Sequence, residues 1–324
     1  MGPQGVPVTS PVSVRFKDCD PALAEESSFL SRLVSAAAER PVRIVQDPRK
    51  LVDLQLTSVQ VPLARKIRLD AARVTGRHFP RTRATKDARW SSSNPKPEGK
   101  ALHHIWFTGE NLRPPATGWD GYLSYDADPL NGRNAYLPLW WLNVGLLGEP
   151  QSIFTTSMPT WQQMLKSRNP GPLRSKFACT FINNPEPMRL HAVQALKSIG
   201  DVDVYGSAWG RSVPDKAAVA KDYRFVLCFE NDVYPGYVTE KPFDAWATGA
   251  VPLWRGLDPA GYLNSAAMIN ASAFVDLAAF VEGVRRVEDK PGLWAEMASQ
   301  PILTREPDLG PAVQLVRRIL GNAQ

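Results

Sequence analysis

The sequence predicts an α/β protein of two Rossmann-like domains facing a central cleft, and three observations carry that expectation. Short apolar or alternating runs recur between helical patterns along most of the 324 residues. A break rich in Pro, Gly and basic residues, KSRNPGPLRSK at 166–176, separates two such series and reads as an interdomain linker. The length suits about two domains of ~100–200 residues each, and 44% hydrophobic with 22% charged residues is an ordinary globular composition. Strands alternating with helices imply parallel sheets with both faces covered. The expected boundaries are 1–168 for the first domain and 169–310 for the second, with 311–324 a short helix able to return to the first.

The elements follow in order. Runs at 12–16, 42–45 and 54–59 read as strands, and 21–40 as a helix with Leu23, Phe29, Leu33 and Ala36 to Ala38 apolar. SSSNPKPEGK at 91–100 is a loop by composition, and a strand at 101–107 follows it. Residues 122–125 and 136–141 look extended. After the break come a strand at 177–182, a helix at 188–199, and strands at 202–206 and 225–229. A helix at 240–248 and a strand at 251–254 complete the second series. Helices at 277–287, 292–300 and 312–320 close the chain.

Charge is uneven. Residues 65–89 hold nine Lys or Arg against two Asp, a local +7 within a net +6, so the remainder carries −1. That excludes a globally basic nucleic-acid coat. The segment reads first as a solvated loop, then as a docking surface for an anionic acceptor or an acidic membrane face. Only Phe79 and Trp90 are there to stack on bases, which predicts no nucleic-acid partner. The three cysteines, Cys19, Cys179 and Cys228, are odd in number and far apart, consistent with a reducing compartment. The start, MGPQGVPVTSP, has neither a charged n-region nor an apolar h-region, and the apolar stretch 136–147 is too short to cross a bilayer. The expected location is cytoplasmic, with peripheral contact to an inner membrane through residues 65–89 as a further expectation.

The densest candidate cluster is FVLCFENDVYPGYVTEKPFDAWATGAVPLWRG at 225–256. An apolar strand ends in Glu230 and Asn231, and a loop with Pro235 and Gly236 leads into a helix. Thr239 reads as its N-cap, Pro242 fixes its first turn and Gly249 its stop. Glu240 and Lys241 then lie at a helix start beyond a strand's carboxyl end, where open α/β sheets bind ligands and free N–H groups favour anions. A solvated charge pair at a helix start is the plain alternative.

The string FxLxFEN…GYVTEK…GAVPLWRG resembles the α-1,3-fucosyltransferases, glycosyltransferase family 10, in its bacterial, soluble form. HHIWFTGEN at 103–111, with the segment GWDGYLSYDADPLNGRNAYLPLWW after it, resembles the family's N-terminal catalytic strand. NNPEPMRLHAVQALKSIGDVDVYG at 183–206 resembles the start of its donor domain. The resemblance implies a two-domain GT-B arrangement and transfer of fucose from GDP-fucose, with inversion, to a hydroxyl of a GlcNAc- or Glc-containing glycan. It implies Glu110 as general base, Arg189 and Lys241 on the donor pyrophosphate, and Asn231, Tyr237 and Glu240 lining the nucleotide-sugar pocket. No metal is expected. Three D-x-D triplets, starting at Asp18, Asp126 and Asp201, show how cheap that pattern is, and adjacent His103 and His104 on a strand face opposite sides. Trp106, Trp140 and Trp141 are candidates for the acceptor side. The same fold with another nucleotide sugar, or a non-catalytic glycan- or polyanion-binding protein, are the competing readings.

Overall fold

The computed structural model describes residues 10–58, 99–108, 113–115, 117–148, 158–183 and 185–321. The chain divides into two compact units, Met1–Tyr136 with Gly310–Gln324, and Leu137–Leu309.

The first unit holds a six-stranded, all-parallel sheet: β1 (Val12–Lys17), β2 (Val42–Ile44), β3 (Val52–Thr57), β4 (Ala101–Phe107), β5 (Gly121–Ser124) and β6 (Asn134–Tyr136), in the order β2-β1-β3-β4-β5-β6. Helix α1 (Phe29–Ala38) buries Phe29, Leu30, Leu33, Val34 and Ala37. It starts later than the expected residue 21. Asp20 caps a separate 3-10 turn at Pro21–Leu23, and Ser28 turns extended to receive the amide of Ser31 at 3.2 Å. Two short caps divide what periodicity alone joins.

The second unit holds a five-stranded parallel sheet: β7 (Lys176–Phe181), β8 (Val202–Tyr205), β9 (Tyr223–Leu227), β10 (Val251–Trp254) and β11 (Ile269–Asn270), in the order β11-β10-β9-β7-β8. Around it run α2 (Trp161–Met164), α3 (Pro187–Leu196), α4 (Lys216–Ala220), α5 (Lys241–Ala247), α6 (Leu277–Glu288) and α7 (Pro291–Ser299). Phe177, Phe225, Leu253, Phe280 and Trp294 centre its core. The last helix, α8 (Gly310–Ile319), packs on α1, β5 and β6 of the first unit. Arg317 there donates to the carbonyl of Ala37 at 3.1 Å and pairs with Glu39 at 2.9 Å.

The division at Tyr136/Leu137 lies well before the expected 168/169. Residues 139–143 are a buried 3-10 turn, not a strand. Trp140 stacks on Phe243 at 4.6 Å, and Trp141 meets Tyr262 edge-on at 5.5 Å, so aromatic burial draws this stretch into the second unit. Nor is 166–176 a linker. Arg168 donates to the carbonyls of Ala298 (2.7 Å), Ala250 (3.2 Å) and Trp246, with its guanidinium 4.2 Å above the Trp246 ring. Arg174 donates to the carbonyls of Tyr223 and Thr248. The basic residues read as linker charges satisfy helix and strand ends instead.

Candidate active site

In the second unit the chain adds β8 on one side of β7 and then returns to lay β9 on the other. That reversal opens a crevice at the carboxyl ends of β7 and β9, the usual ligand position in an open parallel sheet. Arg189, from the first turn of α3 after β7, crosses this point. Its Nε and Nη2 donate to the Phe229 carbonyl beyond β9 at 3.1 and 2.6 Å, and Nη2 also reaches Asn231 Oδ1 at 2.7 Å. Pro187 at the helix start needs no amide partner, so the turn presents Arg189 without loss. The side chain is buried, and burial draws the guanidinium below its ordinary range although Glu230 and Glu186 pull it up.

Directly after Phe229 comes Glu230, 2% exposed. Its carboxylate accepts from the Thr239 amide (3.0 Å) and hydroxyl (2.8 Å), from Lys241 Nζ (3.0 Å) and from Trp254 Nε1 (3.3 Å). Lys241 Nζ also donates to Thr239 Oγ1 at 2.9 Å and lies 3.9 Å from Glu240 Oε1. Burial is the largest influence on Lys241 and lowers it, but Glu230 and Glu240 outweigh that, holding the ammonium above the ordinary lysine value. Lys241 remains about one-quarter exposed, within reach of a ligand. Arg189 and Lys241 repel each other across Glu230, an arrangement suited to an added anion.

Thr239 is not the N-cap that its position suggests. Helix α5 begins at Lys241, with Glu240 as N-cap and no side-chain capping bond. The Thr239 hydroxyl donates to Glu230, and its oxygen also accepts the Lys241 amide at 3.4 Å from the position before that cap. Gly249 does end the helix, at φ +85°. Tyr237 is buried and near enough to influence Arg189. Arg189, Asn231, Tyr237, Glu240 and Lys241 are therefore gathered at one place. Glu230 joins them although no site role was expected of it; an acid soon after an apolar strand is the signal of a buried, committed carboxylate. Glu110 and the basic segment 65–89 lie outside the described residues.

Other candidates have local occupations. Asp203 binds Tyr223 and Arg211, Asp126 and Asp128 accept amides of their own turn, and Asp20 caps Ala22. Trp106, Trp140 and Trp141 are all at most 1% exposed, so none offers a surface for sugar stacking. Burial raises the Cys19 thiol to about 12, and Cys179 and Cys228 also rise with burial. None of these is a ready nucleophile. Among the described residues no helix is long and apolar enough to cross a membrane.

Residues 172–296 match the model of a family described as Glycosyltransferase family 10 (fucosyltransferase) C-term. Over 178 residues the chain is 29% identical to an α-(1,3)-fucosyltransferase of Helicobacter pylori, covering 47% of this chain and 37% of that protein. Over 97 residues it is 32% identical to the 4-galactosyl-N-acetylglucosaminide 3-alpha-L-fucosyltransferase 9 of Homo sapiens, covering 29% and 27%. The matches thus span between about a quarter and a little over a third of these relatives' own length. A crystal structure of an α1,3-fucosyltransferase superposes with TM-score 0.68 at 22% identity, covering 100% of this chain and 94% of that one. One with GDP-fucose gives 0.66 at 19%, covering 100% and 95%. At such identity the likeness is one of fold, the GT-B type with its two parallel-sheet α/β units.

Proposed function

Taking residues 172–296 as a domain of glycosyltransferase family 10, we propose that the chain is an inverting fucosyltransferase. It moves fucose from GDP-fucose to a hydroxyl of a glycan containing N-acetylglucosamine or glucose. The observation that carries this reading is the meeting of two cations at the β7/β9 switch point, Arg189 held on the Phe229 carbonyl and Lys241 on Glu230. Two fixed cations beside a buried carboxylate suit a diphosphate, with Asn231, Tyr237 and Glu240 around the nucleotide sugar. The relatives named above, α1,3-fucosyltransferases by description, support fucose as the donor sugar and a GlcNAc-type acceptor.

In this mechanism the acceptor oxygen attacks the anomeric carbon from the face opposite GDP, and the carbon–phosphate-oxygen bond breaks. The acceptor proton passes to the Glu110 carboxylate, a role resting on the TGEN motif. The bonding pair leaves on the β-phosphate, where Arg189 and Lys241 stabilise the developing charge. These cations take the part a metal would otherwise play.

The test is turnover of GDP-fucose against a panel of glycans, beside calorimetry of GDP. Glu110→Gln should lose about 10²–10⁴-fold in kcat while keeping GDP affinity, and Arg189→Lys should lose GDP affinity because an ammonium lacks the guanidinium's fork. A chelator should leave turnover unchanged. Unaltered turnover in Glu110→Gln would remove that residue from the role. Preference for another nucleotide sugar would replace fucose, and polyanion binding without GDP binding would replace the enzyme reading.

A further inference from the structure

The second unit carries an aromatic surface that its core does not use. Trp209 is 44% exposed, whereas the core tryptophans of the chain are at most 5% exposed. A tryptophan is ordinarily among the better-buried residues. Among the described residues its ring meets no aromatic or cationic side chain, and its indole N–H has no acceptor.

The backbone nevertheless holds this indole in place. β8 ends at Tyr205, and the two residues that flank the following loop pair with each other. The Gly206 amide donates to the Arg211 carbonyl at 2.9 Å, and the Arg211 amide returns to the Gly206 carbonyl at 3.2 Å. Inside that loop Trp209 closes the 3-10 turn Ser207–Trp209, its amide on the Gly206 carbonyl at 3.0 Å. The Arg211 side chain anchors the return, bonding Asp203 at 3.0 Å and lying 4.4 Å above the Tyr205 ring. Asn183, on the exit of β7, accepts the Ser207 amide at 3.2 Å. Helix α3 starts from the same exit and carries Arg189 to the crevice, so the loop of Trp209 and the helix of Arg189 are tied to one strand end. Met188, directly before Arg189, is 39% exposed. Beyond β9 the arrangement differs. There the Gly236 amide donates to the Leu257 carbonyl at 3.0 Å, joining the connections after β9 and β10 to each other.

We infer that Trp209 is the stacking platform for the purine base of the donor nucleotide, with Met188 as a second apolar contact. The inference rests on the donor reading and adds to it the residue that holds the base. With the diphosphate between Arg189 and Lys241, β8 lies one strand beyond β7, about 5 Å away, a step that a ribose covers. A purine presents a flat, poorly hydrated face, and an indole face stacks on it in an offset arrangement. Because the loop is already fixed by its own bonds, little ordering is left to oppose binding.

Calorimetry on the full chain, with GDP and inorganic diphosphate as separate titrants, tests it. Trp209→Ala, checked by circular dichroism, should weaken GDP about tenfold and leave inorganic diphosphate unchanged. Trp209→Phe should restore most of the GDP affinity. Fluorescence gives a second readout: GDP, and not inorganic diphosphate, should shield from iodide the emission that Trp209→Ala removes. Unchanged GDP affinity in Trp209→Ala overturns the inference, as does an equal loss for inorganic diphosphate, or emission that GDP fails to shield. A raised KM for the glycan acceptor with GDP affinity intact assigns the indole to the acceptor and likewise overturns it. Absence of GDP binding in the unaltered chain defeats the donor reading, and this inference with it. GDP binding that is indifferent to Trp209 defeats this inference alone.

Discussion

At the scale of single residues, the second unit turns on a carboxylate that no ligand-binding role requires to be exposed. Glu230 is buried and bonds four donor atoms, among them Lys241 Nζ at 3.0 Å. Removing either partner has unequal effects. Lys241→Met leaves Glu230 charged in the interior, which costs about 3–5 kcal/mol. Glu230→Gln leaves an ammonium that can turn to solvent, at about 1–3 kcal/mol. Urea unfolding should show that order, and the reverse order would mean that the lysine, not the acid, is the confined charge. Asp203 shows a second residue-scale effect. The Tyr223 hydroxyl at 2.6 Å, aided by Arg211 at 3.0 Å, holds its carboxyl below the usual 3.8. The folded state therefore binds its proton less readily than the unfolded chain does. The stabilisation is complete above pH 3.8 and is lost as pH falls through the lower folded value. Tyr223→Phe should move the acid unfolding midpoint upward in a circular-dichroism titration; an unchanged midpoint would contradict the assignment.

At the scale of elements, close approaches decide which glycines are replaceable. A Cβ on Gly121 of β5 would come 2.5 Å from Ile319 Cδ1, the mobile tip of a side chain on α8. Gly206, ending β8, has φ +140°, and a Cβ there would lie 2.2 Å from the Ile182 carbonyl oxygen. Gly206→Ala should cost about 1–3 kcal/mol or more, and Gly121→Ala under about 1 kcal/mol, as read by denaturant midpoints. Equal costs would mean that α8 cannot adjust its packing. The connection from β2 to β3 is similarly pinned, here by Arg15 reaching the carbonyls of Asp47 and Lys50 in place of a crossover helix.

At the scale of the whole molecule, the proposed donor site belongs to one unit. GDP at about 100 times its Kd stabilises what it binds by about 2.7 kcal/mol. Hydrogen exchange should show added protection in β7, β9 and α3, with β1 and β3 unchanged; protection spread equally over both sheets would refute the assignment of the donor to Leu137–Leu309. Much of this unit was legible beforehand. The strand at 251–254 has the expected bounds, and those at 177–182 and 225–229 differ by one or two residues, because an apolar run between turn signals is a local pattern. The gathering of Arg189, Asn231, Tyr237, Glu240 and Lys241 was legible for a related reason: each stands at a helix start or on the connection that follows a strand, and parallel topology brings those connections together. What no local pattern could say was which donors a buried acid would claim, that Trp140 would stack on Phe243, or that Arg168 and Arg174 would cap distant carbonyls. Periodicity and caps act within a few residues, so the sequence by itself determined the elements and the chemistry at their ends. Desolvation acts across the fold, so only the tertiary structure decided which polar groups were buried and which partners they had to find.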